Sequence, residues 1–315
     1  MQTDRRSGRT TDDALYPIRT VSNLTGINPV TLRAWERRYG LIEPRRTPKG
    51  HRLYAQGDID LINRVLELLR TGIPISQVKR RLEQPGPAQS EGQGSEPRHD
   101  PWNAYRTRML AAIARFDDAG LHAAYNEALS LYPADLVTER LMNPLLRVLG
   151  ERWEHQQVGA IAEEHFFGSY MRNKLGARLH HLVSRNARPR LLAACLPGEL
   201  HEIGLLLFCL AAAPHGIGFV ILGADMPLEE LPHAAEHGDC DAVLVSGSMD
   251  PGTAVLQRGL PRLVDRLRVP VLVGGHTAVR HHDAILRAGA TPLGVDTPAA
   301  IRRIPDLVAS SRSTP

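Results

Sequence analysis

Cysteine is scarce in this chain. Cys195, Cys209 and Cys240 are the only three in 315 residues, and no two of them form a Cys-x-x-Cys pair. That argues against a disulfide framework or a thiolate zinc site and fits a reducing compartment. Long apolar runs are also missing. The longest, Ile203 to Ala213, falls far short of the roughly 20 residues that span a bilayer. Nothing at the start reads as a signal peptide, so no membrane partner and a cytoplasmic location are expected. Nor is there a large overall charge: the net is +4. The charge is unevenly placed, however. Residues 1–83 hold 16 Lys+Arg against 9 Asp+Glu, and the remainder holds 22 against 25. A basic segment on a mildly acidic body points to a polyanionic partner for that segment, with a merely solvated basic surface as the alternative.

What is present suits a soluble protein of two to three domains, with 43% hydrophobic and 23% charged residues. Residues 1–15 are polar and expected to be disordered. Short helical patterns and turns fill 16–83. The stretch 84–100 is rich in Gly, Pro, Ser and Gln and reads as a flexible linker. Residues 101–185 are helical throughout, with breaks expected near Gly120, Tyr132-Pro133 and Gly150, which predicts a four-helix bundle. Over 188–310 short apolar runs alternate with helical stretches. The runs are Pro189–Cys195, Gly218–Gly223, Ala242–Ser246, Pro270–Gly274 and Thr291–Gly294. That rhythm predicts a doubly wound, flavodoxin-like parallel sheet, whose ligands sit at the carboxyl ends of the strands. The expected fold class is therefore multidomain, α followed by α/β.

In the basic segment, Ile18–Leu24 predicts a short helix and Thr25-Gly26-Ile27-Asn28 a turn. A second helix is expected over Thr31–Tyr39, ended by Gly40 as a left-handed cap. Two short helices about a glycine turn form a helix-turn-helix, the second helix entering the major groove. Arg45-Arg46-Thr-Pro-Lys49-Gly50-His51-Arg52 alternates cations around a turn and reads as a wing lying along phosphates. Helices at Asp58–Arg70 and Ile75–Leu82 close the unit. The run Thr31-Leu-Arg33-Ala-Trp35-Glu-Arg37-Arg38-Tyr39-Gly-Leu41, then Pro44-Arg45 and Gly50-His51-Arg52-Leu53-Tyr54, closely resembles the MerR family of transcription regulators. The resemblance implies double-stranded operator DNA as partner. The expected contact residues are Thr31, Arg33, Arg37, Arg45, Arg46, Lys49 and Arg52, with Trp35, Leu41 and Tyr54 in the core.

The first loop of the α/β segment reads Pro197-Gly-Glu199-Leu-His201-Glu-Ile-Gly204. A histidine at the mouth of the sheet suits a metal bound from above, and Glu199 is placed to fix its tautomer. Ser246 ends the third strand and Gly274-Gly275 follow the fourth. This pattern resembles the cobalamin-binding fold of methionine synthase and the coenzyme-dependent mutases. That resemblance implies His201 as lower ligand of the cobalt of cobalamin, Ser246 bonding the displaced nucleotide tail, and the glycines making room for it. Ser248 stands where that family has Leu, and Glu199 where Asp is commoner. Trp153 and the pair Glu164-His165 lie on the helical segment and would cap the upper axial group.

Together, the three segments resemble the CarH/LitR photoreceptor-type regulators over nearly the whole chain. The resemblance implies a repressor that self-associates as a dimer or tetramer, with adenosylcobalamin as cofactor and light as the signal. Ten residues separate Trp153 from Glu164, against nine in that family, and Glu154 follows the Trp where a histidine is usual. Two other readings stand beside this one: a corrinoid methyl carrier of a methyltransferase system, and a MerR regulator whose sensor domain only oligomerises. The winged module favours regulation over a carrier. No catalytic residues are expected.

Overall fold

The computed structural model describes residues 14–83, 100–154, 158–182 and 187–312, apart from the side chains of Trp153, Glu154 and Arg312. Most of the segments read as a disordered start and a linker, 1–13 and 84–99, lie outside the described residues. The described residues form two compact units, one of residues up to 101 together with 129–133, the other of 102–128 together with those from 134 onward.

The N-terminal unit opens with strand β1 (Tyr16–Pro17) and helix α1 (Ile18–Thr25). Gly26 turns the chain at φ 71°, a conformation that side chains with a Cβ adopt at a cost. Helix α2 (29–39) follows. The Asn28 side chain caps it by accepting from Val30 N–H, Pro29 occupies the first turn, and the helix closes on a π-helical turn, Trp35–Tyr39. Gly40 ends it in the left-handed region, as expected. Strands β2 (Arg45–Arg46) and β3 (Arg52–Tyr54) form the wing, and β1 adds a third strand, giving the order β1-β3-β2. Helices α3 (Gln56–Arg70) and α4 (Ile75–Glu83) complete the unit. Ile27, Thr31, Ala34 and Trp35 fall at helical spacing on one face and are buried. In this unit Trp35 Nε1–H donates to the Leu131 carbonyl at 2.8 Å, and the Thr31 hydroxyl donates to the Leu129 carbonyl at 3.4 Å.

Helices α5 (Pro101–Ala114), α6 (Asp118–Leu131), α7 (134–154, with a π-helical turn at Thr138–Met142) and α8 (Ala160–Leu182) make up the helical segment, which belongs to the second unit except for Pro101 and 129–133, the latter including the end of α6. The break at Tyr132-Pro133 is where the sequence puts it. The break near Gly120 falls at 115–117, just before α6, where the chain reverses at Phe116, held at φ 53°. Gly150, in contrast, lies inside α7. α8 buries Phe167, Met171, Leu175 and Leu179, a four-residue spacing that lines one face.

The α/β part comprises β4 (Arg190–Cys195), α9 (Ile203–Ala212), β5 (Gly218–Gly223), α10 (Leu231–His237) and β6 (Ala242–Ser246). α11 (252–266), β7 (Val271–Gly274), α12 (His276–Arg280), α13 (His282–Arg287), β8 (Thr291–Gly294) and α14 (Thr297–Arg312) follow. All strand pairs are parallel, in the order β5-β4-β6-β7-β8. The chain direction therefore switches between β4 and β6, and the crevice for a ligand opens at their carboxyl ends. The run that reads as the longest apolar stretch becomes α9. It buries Leu205, Leu206, Leu207, Cys209 and Leu210 because it is covered by the sheet on one side and by α8 on the other.

The ladder aligns Cys195, Ser246 and Gly274 along one edge of the sheet. Just beyond it, a Cβ on Gly275 would meet the Gly247 carbonyl oxygen at 2.4 Å, and Gly275 has φ 81°. Gly275→Ala combines a left-handed backbone with a backbone clash and should destabilise the α/β domain by about 3 kcal/mol. Gly204→Ala is the matched control, since nothing lies within 4 Å of its added methyl. Thermal melting of the ligand-free protein should separate the two, and equal melting temperatures would contradict this packing.

Candidate functional site

Loop 196–202 leaves β4 at the switch point and is pinned by three hydrogen bonds, two to Asp225 and one to Ser246. Gly198 N–H donates to Asp225 Oδ1 at 2.7 Å, Asp225 N–H donates to the Glu199 carbonyl at 2.9 Å, and Leu196 N–H donates to the Ser246 carbonyl at 2.9 Å. Glu199 is buried and its carboxylate is fully engaged. Oε2 accepts from Ser248 N–H at 2.5 Å, Ser248 Oγ at 2.6 Å and Met249 N–H at 3.0 Å. Oε1 accepts from His201 N–H at 2.9 Å and lies 2.8 Å from His201 Nδ1. Burial alone would raise the Glu199 pKa, but the hydrogen bonds from His201 and Ser248 bring it down to about 2. The serine that departs from the family pattern thus holds the acidic residue of the loop.

With Nδ1 committed to Glu199, Nε2 is the ring nitrogen His201 presents outward. It lies 3.0 Å from Glu164 Oε1 of α8. The hydrogen bond to Glu199 raises the His201 pKa most, burial opposes it and Glu164 adds to it, giving about 9. A second ion pair joins the same helix to the same loop, Arg172 to Glu202. The sequence suggested Glu164 for the upper axial side. In this structure it bonds directly to the proposed lower ligand, because α8 lies against the loop. His165, the next residue, is exposed. The Trp153 side chain, like His155, is outside the described residues.

In the N-terminal unit, Arg33, Arg37, Arg45 and Lys49 are exposed along α2 and the wing. Thr31 is corrected: it is 0% exposed, on the inward face one turn before Trp35, and cannot reach a groove from there. Arg46 and Arg52 also differ from a free cationic wing. Glu36 of α2 accepts from Arg46 Nη2 at 2.7 Å and from Arg52 Nε at 2.5 Å. Burial would raise the Glu36 pKa, but these two partners lower it below the usual carboxylate range. Sequence reasoning missed Glu36 and Glu202, and read Ser248 only as a departure from the family pattern. Glu36 stands among the cations of the recognition helix, and that misplaced sign was the available signal.

Residues 16–85 match the model of MerR HTH family regulatory proteins, and residues 105–179 and 189–302 match two models of B12 binding domains. The HTH-type transcriptional repressor CarH of Myxococcus xanthus is 32% identical over 279 residues, 86% of this chain and 91% of CarH. The chain belongs to the CarH family of MerR-type regulators. The HTH-type transcriptional repressor CarA of the same organism is 29% identical over 280 residues, covering 87% of this chain and 91% of CarA. The regulator MlrA of Escherichia coli (strain K12) is 37% identical over 139 residues, 43% of this chain and 52% of MlrA. As a CarH family member, the chain pairs a DNA-binding module with B12-binding domains and is a cobalamin-controlled transcription regulator. Among the described residues, no helix is long and apolar enough to cross a membrane.

The residues at the switch point fit cobalamin. The Ser246 hydroxyl has no hydrogen-bond partner among the described residues, and a Cβ on Gly204 would meet open space. Leu200 and Met249, 66% and 54% exposed, flank His201 and Glu199 and offer apolar surface to a large macrocycle.

Proposed function

We propose that this protein binds operator DNA as an oligomer, at least a dimer, and that cobalamin held at His201 sets the state of that assembly. The observation that carries the reading is the arrangement of His201: Nδ1 fixed by a buried carboxylate, Nε2 directed at the bundle helix α8. His201 Nε2 would ligate the cobalt, Glu199 would hold the ring in the required tautomer, and Ser246 would accept the nucleotide tail beside Gly204 and Gly274-Gly275. Adenosylcobalamin is the form proposed, because when bound it supplies a cobalt–carbon bond that light can break. Trp153, Glu164 and His165 belong to the helices that would cover its upper side.

Coupling between ligand and assembly follows from Glu164. In this structure its carboxylate lies 3.0 Å from the nitrogen that ligation requires, so ligation by His201 would displace the Glu164 side chain and with it one tie between α8 and the loop. A ligand would then bias the position of the bundle only through its differential affinity for the two arrangements. A tenfold change in operator affinity needs about 1.4 kcal/mol of such bias. One helix-turn-helix reads a short half-site, so a symmetric pair is required for operator-length discrimination.

The test is gel filtration and operator binding with adenosylcobalamin, in darkness and after green light. A larger assembly with at least tenfold tighter DNA binding is expected in the dark. Equal mass and equal DNA affinity in both states would overturn light control and leave cobalamin binding standing.

A further inference from the structure

We propose that Glu36 is a positioning residue that fixes the angle between the wing and the recognition helix, and so sets operator specificity while giving up non-specific affinity. The inference rests on reading the N-terminal unit as the operator-binding module.

Glu36 lies on α2 among Arg33, Arg37 and Arg38, on the element that enters the groove. A bare carboxylate there would face phosphate oxygens and lose affinity. It is not bare. Its side chain is only 15% exposed, because Arg46 and Arg52 cover it. These two arginines are register partners across the β2–β3 ladder. One carboxylate, using one oxygen for each, therefore ties both strands of the wing to the recognition helix. Charge-assisted bonds of this kind fix direction as well as distance.

Two consequences follow from the geometry. Arg46 and Arg52 together with Glu36 carry one net positive charge, where two free arginines would carry two. Arg52, whose side chain is 18% exposed, is turned onto Glu36 and not toward solvent. The wing and helix thus meet DNA as one preset shape. Specific binding needs helix and wing in register with the duplex at the same time, whereas non-specific binding needs only charge near phosphates. A device that sacrifices a cation to hold an angle favours the first at the expense of the second.

The experiment compares full-length wild type, Glu36→Gln and Glu36→Asp. The probes are a duplex enriched by the wild type from a randomised library and a scrambled duplex of the same length and composition. Glu36→Gln should bind the scrambled duplex more tightly, with a steeper salt dependence by about one phosphate per protomer. Its preference for the enriched duplex should fall at least tenfold. Glu36→Asp keeps the charge and should restore part of that preference. Failure of the wild type to enrich any duplex would overturn the reading of the module itself. If the wild type selects a sequence and Glu36→Gln keeps its salt slope and preference, only the clamp is overturned. A uniform loss on both duplexes with an unchanged slope would make Glu36 merely structural. A changed preference at a single base pair would make it a base-reading residue.

Discussion

His201→Ala should bind cobalamin on the order of 100-fold more weakly than the wild type. Altering a residue that merely supports a metal ligand typically loses 10- to 100-fold in affinity, so removing the ligand itself belongs at the upper end of that range or beyond. The expectation rests on the placement of His201. It joins the loop position at the β4–β6 switch point with a committed Nδ1 and an outward Nε2. What cobalamin remains bound should keep its own nucleotide base on the cobalt, and the absorption spectrum distinguishes the two states. Glu199→Gln provides an internal comparison. The amide can still accept from Ser248 and Met249 through its oxygen, but it cannot serve them and His201 Nδ1 as a carboxylate does. It should lose roughly tenfold. An unchanged spectrum and affinity in His201→Ala would move the ligand to another residue.

The parts of this site legible in the sequence are those set by local geometry. Glu199 and His201 are two residues apart in a turn, so their pairing follows from spacing alone. Ser246 and Gly274 each end an apolar run, and parallel strands of similar length bring such ends to one edge. The end of α2 was equally local, because Gly40 is strong punctuation; its start, expected at Thr31, lies at Pro29, where the Asn28 side chain caps it. Thr31 was also within reach. Ile27, Thr31, Ala34 and Trp35 fall on one helical face, and weighing that periodicity above the polarity of the hydroxyl would have placed it inside.

What stayed hidden depends on separations that no local pattern encodes. Glu164 meets His201 across 37 residues, and only the packing of α8 on α9 brings them together. Glu36 reaches Arg46 and Arg52 across 10 and 16 residues because the wing folds back onto the recognition helix. The glycine pair shows a third kind of limit. In sequence, Gly274 and Gly275 look alike, as residues making room for a ligand. In the fold, Gly274 meets nothing closer than Leu244 Cδ1 at 3.8 Å, whereas Gly275 is pressed against the Gly247 backbone. One glycine of the pair leaves space and the other is required by a close backbone approach.

Operator affinity should fall by about four orders of magnitude between 50 and 200 mM salt. Arg33, Arg37, Arg45 and Lys49 are exposed on α2 and the wing, so a dimer would engage about eight phosphates, and each neutralised phosphate releases condensed counterions. The slope of log affinity against log salt is then about −7. The uneven charge of the chain localises this dependence: residues 1–83 carry the excess of Lys+Arg, and the remainder is slightly acidic. Removing 1–83 should therefore abolish DNA binding altogether. Single substitutions should divide by position. Arg45 is exposed on the wing, and Arg45→Ala should weaken all sequences about equally while making the slope shallower by about two in a dimer. Arg33 is exposed on the recognition helix, and Arg33→Ala should also blur the preference between operator and scrambled DNA. Arg52→Ala should depart from both. Arg52 is bound to Glu36, so its loss uncovers a carboxylate facing the duplex, and specific binding should suffer more than the loss of one phosphate contact predicts. Titrations at several salt concentrations give slope and affinity together. A slope near zero, or DNA binding that survives deletion of 1–83, would place the interface elsewhere.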